Sequence, residues 1–410
     1  MILRTDNPAH GGAVFAQHEE RPVLVYYALP GELVEAEPRG RQGGVTYARA
    51  ARVLEPGTGR VEPRCPHFGA CGGCQWQHAA YQLQLEIKRR VVAEVWRKAG
   101  LRLPPETPVL GMDDPWRYRI RGEFEAVYGP DGPRFGFHRL RSHSLLPIET
   151  CPIHDLRIER AMLAFGQAAR EHGLTGLQNL LLTVEPQGPG LLWTARFRGE
   201  PGRRLPDAVL VRAAELLPDL VLLDDALTLD VLGLTFRVRN DTFVQTNHRQ
   251  TPFLYRTALE MLEPGGGDRV LDLYAGVGTI GLQAAARVES VTEVEENPRA
   301  VRLGRLAARI NGLGNAVFLA GRVEEALRGV RAGEHTAALL DPPRAGCDPR
   351  ALAELLRLQP GRIVYVSCEP STHARDLALL VQGGYRLRRA AIVDMFPQTY
   401  HIESVALLER

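Results

Sequence analysis

Val270-Leu271-Asp272-Leu273-Tyr274-Ala275-Gly276-Val277-Gly278-Thr279-Ile280-Gly281 reads as a β-strand, a glycine turn and the first turn of a helix. Glycine lets backbone approach a ligand closely, and a helix N-terminus offers it free N–H groups. Outward from this stretch, β-runs alternate with helical segments: Arg269–Leu273, then 290–294, 336–340 and 362–366. That alternation predicts an α/β, doubly wound, Rossmann-like parallel sheet. In such sheets the ligand crevice lies outside the carboxyl ends of the strands.

Gly276, Gly278 and Gly281 also satisfy the dinucleotide pattern, with Glu295 at a distance suited to ribose hydroxyls. The glycines alone therefore leave NAD(P), S-adenosylmethionine and a purely structural turn open. Asp272, four residues before Gly276, tips the reading towards the methyl donor, in whose enzymes Asp-x-x-x-Gly-x-Gly is the commoner arrangement. Asp341-Pro342-Pro343-Arg344 follows the 336–340 run. An acid with two stiff prolines at a strand end fits the substrate-facing wall of such enzymes and has no usual place in a dehydrogenase.

The 362–366 run leads into Ser367-Cys368-Glu369-Pro370, and the chain later reaches Phe396-Pro397-Gln398-Thr399-Tyr400-His401-Ile402-Glu403. A cysteine at a strand end can serve as a nucleophile, and a returning carboxylate as a base. Together they suit an electron-poor ring, to which a thiolate adds and from which a carboxylate later removes a proton. A buried, inert cysteine and a solvated glutamate are the bland alternative.

Cys65-x5-Cys71-x2-Cys74 is a metal signal, with Cys151 a candidate fourth ligand from a distance. Four thiolates suit zinc or an iron–sulfur cluster. Three clustered cysteines plus one remote look more like a [4Fe-4S] site, closed to further ligands if all four bind. Cys347, just after Asp-Pro-Pro-Arg-Ala-Gly, reads as ordinary rather than reactive.

At 410 residues the chain calls for two or three domains. Its 45% apolar and 24% charged content is that of a soluble globular protein, and no run of 18 apolar residues suggests a membrane span. Residues 1–7 lack an apolar signal core, so a cytoplasmic location is expected. Lys88 and Lys98 are the only lysines among the 50 basic residues, and arginine's planar fork makes any basic patch a good phosphate binder. Short β-runs split by glycine and proline between about residues 10 and 55 imply a small β-barrel. A helix is expected over Tyr81–Lys98, with Leu83, Ile87, Val91 and Val95 on one face. Trp116-Arg117-Tyr118-Arg119-Ile120-Arg121 alternates basic and apolar positions, as a strand with one basic face would. With Arg134, Arg139, Arg141 and His143 it reads as an RNA-backbone surface or an ordinary solvated sheet face.

Taken in order, the barrel with His10-Gly11-Gly12 and Ala28-Leu29-Pro30-Gly31-Glu32, the four cysteines, Phe243-Val244-Gln245-Thr246-Asn247, the glycine turn, Asp341-Pro342-Pro343-Arg344, Ser367-Cys368 and His401-Ile402-Glu403 resemble the bacterial RNA 5-methyluridine methyltransferases. Within them the chain looks like the 23S ribosomal RNA branch. The resemblance covers nearly the whole chain. It implies a TRAM/OB-like RNA-binding barrel over 1–58, a central α+β iron–sulfur and RNA-binding domain over 59–240, and a catalytic domain over 241–410, with the helix in 77–112 packing on the last. It further implies S-adenosylmethionine held by Gln245, Tyr274, Gly276, Gly278, Glu295 and Asp341, with Cys368 as nucleophile and Glu403 as base. A structural [4Fe-4S] cluster would sit on Cys65, Cys71, Cys74 and Cys151. Phe243, His401, Arg119 and Arg121 are expected to meet the RNA, whose target uridine must leave its stack. Transfer RNA as substrate and a non-catalytic assembly factor are the competing functions. No membrane or obligate protein partner is expected.

Overall fold

The computed structural model describes residues 1–410. Strands Ile2–Pro8, Ala13–His18, Arg21–Tyr26, Leu33–Gln42 and Val45–Glu55 close into a barrel. Its core is small, built on Leu3, Val23, Val25 and Val34 with alanines filling the gaps. The first strand lies before the short β-runs read at about 10–55, though within the 1–58 span that the resemblance implies for the barrel. Its inward positions include Thr5 and its outward ones Arg4, Asp6 and Asn7, so the alternation is weakly apolar. Glu32, fully buried, closes the barrel exit: it accepts from the Leu29 and Gly57 N–H groups and from Arg60 Nε at 2.5 Å.

The middle of the chain forms a six-stranded sheet ordered Val221–Leu223, Gly190–Phe197, Leu177–Val184, Arg121–Gly129, Gly132–His138 and Leu145–Pro147. Helix Leu156–Glu171 packs on it through Ile158, Ala161, Phe165 and Ala168. The Asp155 carboxylate caps that helix by accepting from the Arg157 N–H.

The C-terminal sheet has eight strands, ordered Ala316–Ala320, Ser290–Glu295, Arg269–Leu273, Ala337–Leu340, Arg362–Ser367, Glu403–Glu409, Arg386–Val393 and Val109–Leu110. The first five are parallel, and the strand order reverses between Arg269–Leu273 and Ala337–Leu340. That is the switch point at which open α/β sheets hold their ligands. Glu403–Glu409 slots in antiparallel beside Arg362–Ser367.

Helix Tyr81–Lys98 precedes the middle sheet in sequence yet packs on the C-terminal one, burying Ile87, Val91, Val92 and Trp96 in one core with Leu377, Tyr385 and Ile392. The Val109–Leu110 strand extends the same sheet next to Arg386–Val393. The loop 394–402 is gripped from several sides. Lys88 Nζ donates to Asp394 Oδ1 at 2.5 Å and to the Phe396 carbonyl at 3.0 Å, while the Tyr81 hydroxyl reaches Asp394 Oδ2 at 2.9 Å. Gln84 and Gln398 exchange hydrogen bonds, Tyr118 donates to the Pro397 carbonyl, and Asn247 donates to that of Met395. This loop delivers Glu403.

Candidate active site

Register sets the central pair. Ser367 pairs with Ser404 and Val366 with Val405 across the antiparallel strands. Cys368 directly follows that register and Glu403 directly precedes it, and the two line one cavity in which the Glu403 charge acts on the Cys368 thiol. Glu369 then caps helix Pro370–Gln382 through the Ser371 N–H, and Pro370 starts it without needing a donor. The nucleophile candidate thus sits between a strand end and a helix start.

Tyr274, Glu295, Asp341 and Cys368 end or directly follow neighbouring parallel strands, so they emerge on one sheet edge. With Gln245, Gly276, Glu403, Phe243 and His401 they line one cavity of about 590 Å³. Gly278 does not line it. It turns the chain at φ 79°, where an added Cβ would crowd Leu282, Phe318 and Glu293. Glu295 braces the loop: its carboxylate accepts from the Gly276 N–H at 2.9 Å and from the Asn297 N–H at 2.7 Å.

Arg119 and Arg121 are not brought to the cavity. Arg121 donates to Thr183 Oγ1 and to the Thr242 and Arg239 carbonyls, and Arg119 Nε donates to the Arg121 carbonyl. The expected strand over 116–121 does not form: Arg117 turns at φ 52°, Arg119 makes only isolated bridges, and the strand begins at Arg121. Arg121 spends its guanidinium on internal oxygens, tying the middle sheet to the segment that carries Phe243 and Gln245. Phe243 is 66% exposed at the cavity mouth. His401 packs against Tyr400 and Phe396, with ring centroids at 4.3 and 5.6 Å. Burial, with Arg344 nearby, holds its imidazole neutral by lowering the pKa to about 3.

The cavity is acid-rich. Burial and the charge of Asp272 push Asp341 up to about 7. Burial and Asp341 push Glu403 well above the carboxylate range, while Arg344 pulls it back. Cys368 is driven up to about 12 by burial, then by Glu403 and Asp341, with Arg344 again opposing. Its sulfur therefore carries a proton at rest. Asp272 lies under the glycine turn, pushed up to about 6 by burial although it accepts from the Gly281 N–H at 3.0 Å. It stands in register with Glu293, which is buried and shifted well up beside it. An added Cβ on Gly281 would sit 2.5 and 2.6 Å from those two carboxyls, so the turn has no room for a side chain there.

Arg344 was quoted in the sequence only as part of its motif. It is the cation that faces Cys368, Glu403 and His401 together. Its place directly after the two prolines was the available signal. Thr279, Arg322, Glu324 and Phe396 also line the cavity and carried no signal of their own.

The four cysteines share a second region. Cys74 is raised by burial and by Cys151, Cys71 and Cys65, and Cys151 is pushed up to about 12 by burial with Cys65 and Cys71 contributing. The loop is pinned by the Gly72 N–H to the His138 carbonyl at 2.9 Å, where an added Cβ would strike the 138–140 backbone. His154 Nδ1 lies 3.0 Å from Cys151 Sγ. No group of three or more His, Cys, Asp or Glu side chains is arranged to hold a metal ion. The donor types suit iron or zinc, and the thiols share one field without converging on one point.

Residues 214–410 match the sequence profile of the tRNA (Uracil-5-)-methyltransferase family. An uncharacterized RNA methyltransferase of Halalkalibacterium halodurans is 33% identical, covering 98% of this chain and 94% of its own length. One from Listeria monocytogenes is 31% identical, covering 99% and 96%. Among solved structures, the Pyrococcus abyssi tRNA (uracil-54, C5)-methyltransferase in complex with S-adenosyl-L-homocysteine shares the fold over the full length of both chains, with a TM-score of 0.76 and 24% identity. The cavity at the sheet's switch point and the full-length kinship agree: the chain belongs to the RNA uracil-5-methyltransferase family and is an S-adenosylmethionine-dependent RNA (uracil-C5)-methyltransferase.

Proposed function

We propose that the enzyme methylates carbon 5 of a uridine in 23S ribosomal RNA, in the cytoplasm, through a transient covalent bond from Cys368. The supporting observation is that Cys368 and Glu403, flanking the last register pair Ser367–Ser404, line one cavity at the sheet's switch point. Bound S-adenosylmethionine supplies an electrophilic methyl group on a sulfonium. Carbon 5 of uracil is too weak a nucleophile to take it unaided. Cys368 sulfur adds to carbon 6 as its proton passes to the neighbouring Asp341 carboxylate, since the resting thiol is held protonated. The resulting enolate makes carbon 5 nucleophilic, and the methyl group transfers there. Glu403 then removes the remaining carbon 5 proton, and the carbon–sulfur bond breaks to restore the aromatic ring. A cation bound among these carboxyls lowers their pKa values, preparing Glu403 to act as base. Gln245, Tyr274, Gly276, Glu295 and Asp341 are the residues proposed to hold the methyl donor, with Gly278 shaping the turn. The exposed Phe243 is proposed to stack on the extruded uracil, worth about 1–3 kcal/mol per base.

Cys65, Cys71, Cys74 and Cys151 are proposed to hold a structural [4Fe-4S] cluster, their shared field being the support for that donor set. Iron analysis and visible absorbance of anaerobically purified protein test it, and zinc or no metal would overturn it. The division at residues 58 and 240 is likewise a proposal, with segment 77–112 assigned to the catalytic part.

Transfer RNA is the second reading. The archaeal tRNA enzyme shares the fold over its whole length, so the barrel does not by itself select ribosomal RNA. Incubation with labelled methyl donor and purified 23S RNA or tRNA separates the two. Label in 5-methyluridine of 23S RNA alone is expected; label in tRNA alone would overturn the ribosomal assignment.

A further inference from the structure

Helix Pro370–Gln382 begins just past Cys368, and its first turns grip another wall of the same cavity. That wall is the segment from Asp341 to Asp348, which leaves its strand through two prolines and forms no helix or strand of its own. Backbone groups there have no ladder to join and must find partners elsewhere. The helix supplies them from Thr372, Arg375 and Asp376, which share one helix face. Thr372 Oγ1 donates between the Arg344 carbonyl at 3.0 Å and the Glu369 carbonyl at 3.2 Å. Arg375 Nη2 donates to the Ala345 carbonyl at 3.0 Å and to that of Cys347 at 3.3 Å. Asp376 Oδ2 accepts from the Cys347 N–H at 2.8 Å.

Asp376 is fully buried. Its Oδ1 accepts from Arg375 Nε at 2.8 Å, and its Oδ2 also accepts from the Tyr365 hydroxyl at 2.6 Å. Tyr365 belongs to strand Arg362–Ser367, which ends directly before Cys368. One carboxylate therefore ties together the strand before Cys368, the helix after it and the facing wall. The fit is tight: Gly346 turns at φ 76°, and an added Cβ there would sit 2.5 Å from Arg375 Nη2 and 2.6 Å from Asp376 Oδ2. None of the three helix side chains lines the cavity itself.

We infer that Asp376, with Thr372 and Arg375, is a positioning residue for methyl transfer. The three fix the spacing between Cys368 and the wall that carries Asp341 and Arg344, and so the approach of uracil to the methyl donor. The inference rests on the reading that uracil is methylated beside Cys368, and names the groups that hold that geometry.

Steady-state transfer from labelled S-adenosylmethionine to 23S RNA and tRNA transcripts supplied together, with thermal melting of each variant, tests it. Asp376→Asn is expected to lower kcat about 30-fold or more, because a small misplacement of reacting groups is costly. Half-saturation for both substrates should stay within about fivefold, since the groups that line the cavity are unchanged. Thr372→Val should lower kcat about fivefold, the worth of one hydrogen bond, and Thr372→Ser, which keeps the hydroxyl, should match wild type. Tyr365→Phe removes a partner of the same carboxylate on the sheet side, so it should lower the melting temperature and leave kcat within about twofold. If Asp376→Asn does not fold, the Thr372 pair decides. A kcat within about twofold of wild type in Thr372→Val would overturn the inference. So would a loss in Thr372→Ser equal to that in Thr372→Val, or kcat losses in Asp376→Asn and Tyr365→Phe that follow their melting alike. Activity kept by Cys368→Ala while Thr372→Val loses turnover would strike the covalent chemistry instead and leave the positioning role standing.

Discussion

Five of the six cysteines carry the proposed roles, and they fall in two regions where burial raises every thiol but the company differs. Around Cys368 the opposing charges are carboxyls, Glu403 and Asp341, with the Arg344 guanidinium working against them. Around Cys74 and Cys151 they are chiefly the other thiols. The first arrangement keeps a proton on one sulfur beside groups able to accept it, which suits a nucleophile used once per turnover. The second cannot ionise together without a cation among the sulfurs, which suits a standing structural role. Substitutions that separate turnover from stability therefore test the contrast.

The largest effect is expected at the first region. Cys368→Ala should lower turnover on the order of 10⁴-fold or more in a methyl-transfer assay, with thermal melting unchanged. Retained activity would merge the two regions into one structural class. Next comes Lys88→Met, which leaves Asp394 buried without its partner. Denaturant titration should show a loss of about 3–5 kcal/mol, and activity should fall with it because Asp394 anchors the loop that carries Glu403. On the proposed cluster site, Cys74→Ser should show the opposite signature to Cys368→Ala: lower iron content and stability lowered by about 2–4 kcal/mol in the same titration. Chemistry per folded molecule should be largely kept.

The smallest effect concerns pH. Asp272 and Asp341 titrate near 6 and 7 in the fold, and Glu293 is raised too. Between the ordinary carboxylate range and those values the folded chain holds protons that the unfolded chain has released. Stability should therefore fall as pH rises from about 4 to about 7. Glu293→Gln removes one of these carboxyls and should flatten the fall by about 1 kcal/mol, read by melting across pH. The cysteine quartet titrates above this window and should not contribute.

Much of the catalytic region was legible because its signals are local. The glycine turn, Asp341-Pro342-Pro343 and Ser367-Cys368 each sit at a strand end, and parallel strands bring such ends to one edge. Glu403 was legible as a base by its type and motif. Its placement in one cavity with Cys368 was not, since it depends on the last strand inserting antiparallel inside the sheet rather than at its rim. The basic–apolar alternation at 116–121 read as a strand, but only Arg121 begins one, and period alone cannot say whether a basic side chain meets solvent or carbonyls; Arg121 turned inward to three oxygens. Strand Ile2–Pro8 was not read as a β-run of its own because its inward positions, Leu3, Thr5 and Pro8, include only one strong apolar side chain. The Lys88–Asp394 pair joins residues 306 apart, a contact no local pattern carries.

Glu403→Gln isolates the step on which the account turns, since it leaves the nucleophile in place and removes the acceptor for the carbon 5 proton. Intact-mass analysis of this variant, incubated with substrate RNA and S-adenosylmethionine, should find protein bonded to methylated RNA, with the link mapping to Cys368. Turnover at the wild-type rate with no such species, or a link to any other residue, would contradict it.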